Sequence, residues 1–276
     1  MNGLPGRAIA DLLFDGGIAT RNGSTAPRVE LFSNCRHGSE IAVYSITDGS
    51  KKVIRKSAST ASGVADLARE AAGWAWYQSQ RYPRRELPIY QWLARGVYCR
   101  IDVDWIEGMK HDYQAGLLPN DEIIRLALEQ YCCLWPNADL VPLHGDFSVD
   151  NFILNDDGLH VIDWEHFHQS GGPWGFDALY LLYESLWFST ESRRLPNRQE
   201  IRVLTAGLRR LGKVGRMSDA FARKPLQTLR AFIHEHRDIW GEQLRRFPEK
   251  LLVVKFSNRQ AADIDRMVGR ASPYQA

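Results

Sequence analysis

Residues 144–154, with the sequence HGDFSVDNFIL, decide how this chain is interpreted. They follow an apolar run and place Asp146 and Asn151 at the two ends of one loop. A second segment, residues 161–165 (VIDWE), places Asp163 at the end of another apolar run. A tight loop can bring the first two side chains to one side. We therefore expect the three polar side chains to share one site.

An acid, an amide and a second acid are the residue types that phosphoryl transfer to a hydroxyl requires. A carboxylate must sit beside the attacking hydroxyl, and we assign this role to Asp146. Magnesium must be held against the phosphates of ATP, and a hard cation prefers oxygen ligands, so Asp163 and Asn151 are the predicted ligands. Taken singly, Asp146 and Asn151 would be interpreted as turn residues. Their joint spacing instead predicts a phosphotransferase that uses ATP and Mg²⁺.

The periodicity of the chain changes from strand-like to helical near residues 105–108, which we interpret as a crossing point between two lobes. The side chain of Asn120 is expected to cap the first helix after this point. The predicted strands are 29–32, 40–46, 52–56, 90–94 and 98–103. The predicted helices are about 64–80, 120–135, 175–188, 198–212, 217–239 and 258–268. This order predicts an α+β fold with a small β-rich N-lobe, residues 1–107, and a larger α-helical C-lobe, residues 108–276.

Composition and apolar runs favour a cytoplasmic enzyme. No apolar run reaches the roughly 20 residues that a bilayer-spanning helix needs, so we expect no transmembrane segment. The N-terminus shows no signal-peptide pattern. The four cysteines lack metal-ligand spacing, which favours free thiols in a reducing compartment.

Charge is distributed unevenly along the chain. Residues 201–276 carry 16 Lys and Arg against 7 Asp and Glu, a net +9, although the whole chain is at +2. A basic segment of this kind could attract an anionic substrate or make peripheral contact with a membrane surface, or it could be a solvated helical surface. The chain has no zinc-finger spacing and no aromatic RNA-binding pattern, so we expect no nucleic-acid partner.

The pattern His-Gly-Asp-x4-Asn followed by Ile-Asp-Trp-Glu resembles the aminoglycoside phosphotransferase and choline kinase family, relatives of the protein kinases. The resemblance covers about residues 30–190 and is most specific over residues 144–177. It implies a two-lobed protein-kinase-like fold, ATP or GTP as donor, and magnesium. It also implies that Asp146 lies in the catalytic loop and that Asp163 binds the metal.

The same resemblance implies a nucleotide-binding set in the N-lobe. A strand lysine should grip the phosphates, and Lys56 is favoured over Lys51 and Lys52 because it ends an apolar run. A helix glutamate should pair with this lysine, and Glu70 lies at a suitable distance along the chain. A loop at residues 33–39 should cover the phosphates. The remaining predicted nucleotide-binding residues are Gly38 and Ser39 in that loop, and Trp105, Ile106 and Glu107 at the adenine edge.

Two departures from the family pattern bear on the acceptor. The phosphate loop has a single clear glycine, Gly38. Where the family often has His-Pro after the loop aspartate, this chain has Ser148 and Asp150 nearby, which suggests an unusual acceptor rather than an antibiotic. We expect a small-molecule or glycan hydroxyl as acceptor. The alternative is a kinase-shaped nucleotide-binding or scaffold protein without catalysis. A protein kinase is disfavoured because the Asp-Phe-Gly and Ala-Pro-Glu segments are absent.

Several neighbouring residues allow two interpretations. Glu165 could contact metal or substrate, or lie at the surface. Trp174 and Phe176 could line an acceptor cleft or pack in the core. His144 is expected to orient the loop by hydrogen bonds, and Asp177 to brace it from the start of a helix.

Overall fold

The structure, a computed structural model, describes residues 28–33, 41–84, 90–95, 98–191, 193–214, 217–237 and 251–271. The predicted phosphate-loop residues Gly38 and Ser39 lie outside the described residues. The same holds for the end of the helix predicted over residues 217–239.

The first part of the chain forms a five-stranded antiparallel sheet with the strand order β1-β2-β3-β5-β4. The strands are β1 (Arg28–Ser33), β2 (Ala42–Asp48), β3 (Lys51–Ala58), β4 (Tyr90–Arg95) and β5 (Tyr98–Asp104). Each predicted strand is found here within a few residues of its expected bounds. The β2–β3 turn contains Gly49 at a φ of 60°, a conformation that glycine adopts without steric cost.

Strand β3 carries charged side chains on both faces of this sheet. Arg55 is opposite Asp102 on β5, and its guanidinium donates to both carboxylate oxygens at 2.7 Å. Successive side chains of a strand point to opposite faces, so Lys56 lies on the other face. The local alternation of β3 thus directs Lys56 away from the Arg55 ion pair.

Helix α1 (Ala61–Arg81) lies between the sheet and the second part of the chain. The hydroxyl of Thr60 accepts a hydrogen bond from the Gly63 backbone and caps the helix. A Cβ atom at Gly73 would meet the Trp164 Cβ at 2.5 Å, so the helix backbone approaches the Trp164 segment closely. The close contact holds α1 against the chain that follows Asp163.

The second part of the chain is mainly helical, so the predicted α+β class is confirmed. Its helices are α2 (Asp121–Leu134), α3 (Phe176–Thr190), α4 (Arg198–Val214), α5 (Asp219–Arg223), α6 (Pro225–Glu235) and α7 (Asn258–Ala271). Two short two-stranded antiparallel sheets pair β6 (Leu140–Leu143) with β9 (His168–Pro173), and β7 (Phe152–Asn155) with β8 (Gly158–Val161).

Two local predictions were wrong. The helix predicted over residues 217–239 is interrupted at Lys224, because Pro225 begins a new helix and cannot continue the preceding one. Asn120 begins α2 without a side-chain cap. Its amide nitrogen instead donates to the carbonyls of Asp112 and Gly116, which holds the preceding turn in place.

Helix α3 forms the centre of the core of this helical part, and twelve of its fifteen residues are buried. Trp174 and Phe176, at its start, are 1% and 0% exposed, so both pack in the core rather than line an acceptor cleft. The described cysteines, Cys99, Cys132 and Cys133, are free thiols as expected. Within the described ranges, we find no helix that combines the length and apolar character needed to cross a bilayer.

Candidate active site

A cavity of about 470 Å³ separates the five-stranded sheet from the β7–β8 hairpin, a volume in the range of small-molecule sites. Its apolar walls are Val43 and Ile54 from the sheet and Ile153 and Ile162 from the hairpin region. Of the predicted site residues, Lys56, Glu70, Trp105, Ile106, Asn151 and Asp163 line the cavity. Asp146 and Glu107 contact these residues without being part of the cavity wall.

Lys56 joins three elements at the polar end of the cavity. Its ammonium lies 2.8 Å from the Glu70 carboxylate on α1 and 2.5 Å from the Asp163 carboxylate, 107 positions along the chain. Burial raises the pKa of Glu70, while the charge of Lys56 opposes this effect. The expectation that Lys56 meets Glu70 therefore agrees with the geometry. Lys52 instead places its ammonium 3.3 Å from the centre of the Trp105 ring.

Asp163 adopts a left-handed backbone conformation with a φ of 63°. A residue other than glycine pays a steric cost in this region, and such residues cluster at functional sites. The preceding residue, Ile162, is fixed on both sides. Its N–H donates to the Asn151 carbonyl at 3.0 Å, and its carbonyl accepts from the ring of His144 at 2.9 Å. The strained residue is thus held by the loop of residues 144–151.

Asp146 and Asn151 meet across their loop, as the sequence predicted. The amide nitrogen of Asn151 donates to the Asp146 backbone carbonyl at 2.8 Å and to its carboxylate at 3.2 Å. The hydroxyl of Ser148 donates to Asp150 at 2.5 Å. Because the Asn151 nitrogen makes these contacts, its amide oxygen is the atom of this side chain suited to a cation. Asn151 thereby links Asp146 to the cavity.

His144 is buried and connects the two acidic positions. The Asp146 N–H donates to its Nδ1 at 3.3 Å, so the proton resides on Nε2, which donates to the Ile162 carbonyl. Burial lowers the pKa of His144 to about 4. The neutral ring therefore connects the loop of Asp146 to the backbone that leads to Asp163 through its two hydrogen bonds. This is the loop-orienting role expected from the sequence.

Asp177 braces the loop of residues 144–151 from the first turn of α3. Its two carboxylate oxygens accept the backbone N–H groups of His144 at 2.8 Å and Gly145 at 3.1 Å. Gly145 has a φ of 82°, and a Cβ atom there would meet the His166 carbonyl at 2.5 Å. Burial raises the pKa of Asp177 to about 7, although the two backbone hydrogen bonds act to lower it. The expected brace is therefore found, and only glycine fits the turn that it holds.

Glu165 is buried and pairs with its neighbour His166, whose Nε2 lies 3.2 Å from the carboxylate. Burial and Asp163 oppose its ionisation, yet the hydrogen bond from His166 lowers the pKa of Glu165 to about 2. Burial lowers the pKa of His166, but the pairing with Glu165 raises it overall. The surface interpretation of Glu165 is therefore wrong. Sequence alone gave no sign of this pair.

The strand that leads out of the sheet shapes the far end of the cavity. The Trp105 N–H donates to the Lys52 carbonyl at 3.0 Å and continues the β3–β5 pairing. The Trp105 indole donates to the exposed carboxylate of Glu107 at 2.6 Å. Since the Trp105 N–H is used in this way, Ile106 is the better candidate among the three predicted residues to donate to a base. Lys110, which sequence reasoning missed, also lines the cavity.

The sequence analysis also did not predict the apolar walls of the cavity, although the strand pattern could have indicated Ile54. Ile54 is two residues before Lys56 and therefore lies on the same face of β3. Ile153 and Ile162 come from a hairpin in which Phe152 is opposite Val161. Their common orientation depends on the register of the hairpin, which the sequence did not define.

The residues present fit a magnesium ion that is shared with a nucleotide. Asp163 and Asn151 supply a carboxylate and an amide oxygen to the same cavity. In proteins Mg²⁺ is commonly bound by one or two such groups together with substrate phosphates and water. Across the part of the chain that the structure describes, no group of three or more His, Cys, Asp or Glu could hold a metal ion without such help.

Comparison with known proteins gave one family match. The family model described as "Phosphotransferase enzyme family" matches residues 18–214. No curated protein sequence matches the chain.

Among solved structures, choline kinase from Cryptosporidium parvum Iowa II is 10% identical to this chain. The match covers 96% of each chain and has a TM-score of 0.46. Plasmodium vivax ethanolamine kinase is 12% identical and covers 91% of this chain and 84% of that chain, with a TM-score of 0.44. A spectinomycin phosphotransferase in complex with ADP and spectinomycin is 10% identical and covers 88% of this chain and 93% of that chain, with a TM-score of 0.40.

Proposed function

Because the chain belongs to the phosphotransferase enzyme family, whose model it matches over residues 18–214, we propose that it transfers the γ-phosphate of ATP to a hydroxyl of a small-molecule or saccharide acceptor. One observation carries this proposal. The Lys56 ammonium contacts the Asp163 carboxylate, Asn151 contacts Asp146, and Lys56, Asn151 and Asp163 all line one cavity of about 470 Å³.

The cavity supports a nucleotide with its base at the apolar end. An adenine ring would lie between the sheet residues Val43 and Ile54 and the residues Ile153 and Ile162. The Ile106 N–H is the proposed donor to the edge of the base. The phosphates would then extend towards the Lys56 ammonium. ATP binding would place phosphate oxygens where the Lys56 ammonium now contacts Asp163.

The reaction itself is assigned to Asp146. Its carboxylate accepts the proton of the acceptor hydroxyl while the hydroxyl oxygen bonds to the γ-phosphorus. The bond between the γ-phosphorus and the β–γ bridging oxygen breaks, and ADP leaves. Asp163 and Asn151 would hold magnesium, which neutralises charge on the phosphate oxygens when it is bound. The amide nitrogen of Asn151 holds the Asp146 side chain by a hydrogen bond at 3.2 Å.

The alternative function is a kinase-shaped nucleotide-binding or scaffold protein without catalysis. Loss of a catalytic group would favour it. The five residues Asp146, Asn151, Asp163, Lys56 and Glu70 are all present, and hydrogen bonds connect them into two groups that adjoin the same cavity. No observation on the described residues favours the alternative.

The proposal is tested by Asp146→Asn, which keeps the size of the side chain but removes the proton acceptor. A screen of sugars, amino alcohols and cell-envelope glycans for ADP production first identifies a substrate. The turnover number of Asp146→Asn should then fall by about two to four orders of magnitude. ATP should still raise its melting temperature in the presence of Mg²⁺.

The matched control is Asp156→Asn, an exposed aspartate on the β7–β8 turn. It changes the net charge equally and should retain full turnover. If Asp146→Asn also retained full turnover, Asp146 would have no part in the reaction. If no acceptor in the screen produced ADP while ATP bound, the scaffold alternative would be preferred.

A further inference from the structure

Helix α1, which carries Glu70, also contacts the chain on both sides of Asp163. Residues four apart lie on one side of a helix, so one face of α1 can follow a neighbouring segment for several turns. The residues of this face that contact residues 161–165 are Arg69, Gly73 and Tyr77. A single helix thus bears one acidic partner of Lys56 and packs against the backbone that presents the other.

Tyr77 contacts this segment two residues before Asp163. Backbone N–H groups of a strand in an antiparallel pair point alternately towards the paired strand and away from it. The Ile162 N–H donates to the Asn151 carbonyl across the hairpin. The Val161 N–H points the other way and donates to the Tyr77 hydroxyl at 3.1 Å. Val161 and Tyr77 are both 0% exposed, so no water would replace the hydroxyl as the partner of this N–H.

The Tyr77 hydroxyl is itself held in place by its surroundings. Gln130 of α2 makes a second hydrogen bond to it, at 3.0 Å. The Tyr77 ring packs against the buried Trp164 ring, with 5.2 Å between their centres. A Cβ atom at Gly73, one turn earlier, would meet the Trp164 Cβ at 2.5 Å, so the helix backbone is also close to this segment. The hydroxyl is therefore a fixed partner for the Val161 N–H.

Arg69 contacts the segment two residues after Asp163. Its Nε donates to the Glu165 carbonyl at 3.2 Å. Its guanidinium also pairs with Asp66, one turn earlier on the same helix, which keeps the side chain close to α1. The Arg69 side chain is 44% exposed, so water competes for this hydrogen bond more than for that of Tyr77.

The backbone of Asp163 depends on such support because it is strained. Its φ of 63° carries a steric cost for a residue other than glycine, and such a conformation persists only where the surrounding structure enforces it. The two hydrogen bonds from α1 lie on either side of this residue, at Val161 and at Glu165. They therefore restrain the strained residue from both directions along the chain.

We propose that Tyr77 and Arg69 are positioning residues, which hold the Asp163 carboxylate in the orientation that binds magnesium. This inference rests on the proposed function, in which Asp163 and Asn151 hold the ion that accompanies ATP. Removal of a group that orients a metal ligand commonly weakens metal binding by about 10–100-fold. The effect should therefore appear in the part of ATP binding that depends on magnesium.

The measurement is calorimetric titration of ATP into the full chain, once with Mg²⁺ and once with EDTA. The dissociation constant in EDTA divided by that in Mg²⁺ gives the contribution of magnesium to binding. In Tyr77→Phe this ratio should fall by about tenfold, because the backbone before Asp163 loses its partner. Binding in EDTA should remain as in the wild type, since Lys56 and the apolar walls of the cavity are unchanged.

The matched control is Tyr82→Phe. Tyr82 directly follows α1, and its hydroxyl forms a hydrogen bond with the side chain of His160 on β8 at 2.8 Å. The control therefore loses the same group between the same two elements but leaves the Val161 N–H paired, and its ratio should match that of the wild type. An equal fall in Tyr82→Phe, or an unchanged ratio in a folded Tyr77→Phe, would overturn the proposal.

Arg69→Met provides a second test outside the core. The ratio should fall by less than in Tyr77→Phe, and Arg69→Lys, which keeps a donor, should retain more of it than Arg69→Met. Urea unfolding shows whether each variant is folded. An unchanged ratio in Arg69→Met would refute the role of Arg69, and it would overturn the whole proposal if Tyr77→Phe did not fold.

The wild type alone tests the proposed function. If it bound no ATP, or bound ATP equally with Mg²⁺ and with EDTA, the proposed function would be contradicted and this inference with it. A wild type with a clear magnesium contribution, together with a folded Tyr77→Phe variant that kept the same contribution, would contradict only the positioning role.

Discussion

Replacing Asp177 by asparagine removes a buried ionisable group from beneath the loop of residues 144–151 while keeping the shape of the side chain. The carboxylate accepts the backbone N–H groups of His144 and Gly145, and burial raises its pKa to about 7. In the unfolded chain an aspartate has its ordinary pKa of about 3.9. The folded protein therefore holds a proton at Asp177 over a pH range in which the unfolded chain has lost it.

This difference makes stability depend on pH with a defined sign. A group whose pKa is raised on folding contributes stability that is fully present below its unfolded pKa and is lost as the pH rises through its folded pKa. For Asp177 the loss falls between about pH 4 and about pH 7. From about pH 5 to about pH 7.5 it amounts to roughly 2.5 kcal/mol of unfolding free energy. Asp177→Asn cannot ionise and lacks this contribution.

The assay is urea unfolding of both proteins, followed by tryptophan fluorescence at constant ionic strength across this pH range. The unfolding free energy of the wild type, less that of Asp177→Asn, should fall by about 2.5 kcal/mol as the pH rises. Asparagine has one side-chain oxygen, so it accepts only one of the two backbone N–H groups. The loss of the other hydrogen bond adds a constant offset of about 1 kcal/mol that does not alter the trend. Asp156→Asn controls for the change in net charge. A difference that stayed flat or rose with pH would refute the reasoning, because Asp177 would then be ionised throughout.

Two further predictions concern the polar end of the nucleotide cavity and the turn beside it. Lys56→Met removes the cation between Glu70 and Asp163, so it should lower the unfolding free energy by about 3 kcal/mol and abolish the rise in melting temperature with ATP. A preserved ATP effect would show that Lys56 does not grip the phosphates. Gly145→Ala places a Cβ atom against the His166 carbonyl at a positive φ, and should cost about 1–3 kcal/mol of stability and reduce turnover. Unchanged urea unfolding and turnover would show that the turn relaxes at no cost.

Much of the fold could be predicted because the relevant signals are local. Short β-rich runs gave all five strands of the first sheet, and the break after Ala58 is followed by a helix that Thr60 caps. The pairing of Lys56 with Glu70 was implied by the family resemblance, and it joins a strand to the helix that directly follows it. The meeting of Asp146 and Asn151 required only a tight loop. Each of these inferences spans fewer than about 20 residues.

The rest depends on contacts between distant segments. The left-handed backbone of Asp163 follows from its hydrogen-bonded neighbours, and aspartate as a residue type does not require it. Glu165 was ambiguous because its burial depends on contacts between distant segments, and Arg69 of α1 donates to its backbone carbonyl. Asparagine is a common helix-capping residue, yet the Asn120 amide donates to a backbone carbonyl of an earlier turn. The break at Pro225 is the exception, since proline is a local signal and the helix should have been divided there.

The ion pairs of Lys56 show which contact a nucleotide would replace. Glu70 is 1% exposed and lies on α1, so loss of its cation would leave a buried carboxylate without a charge partner. The Asp163 side chain is 17% exposed, lines the cavity and sits on strained backbone. Exchange of Asp163 for phosphate oxygens therefore costs less than exchange of Glu70. It would also free the Asp163 carboxylate for the cation that accompanies ATP. Lys56 and Glu70 would then remain paired through the whole reaction, while Asp163 changes its partner.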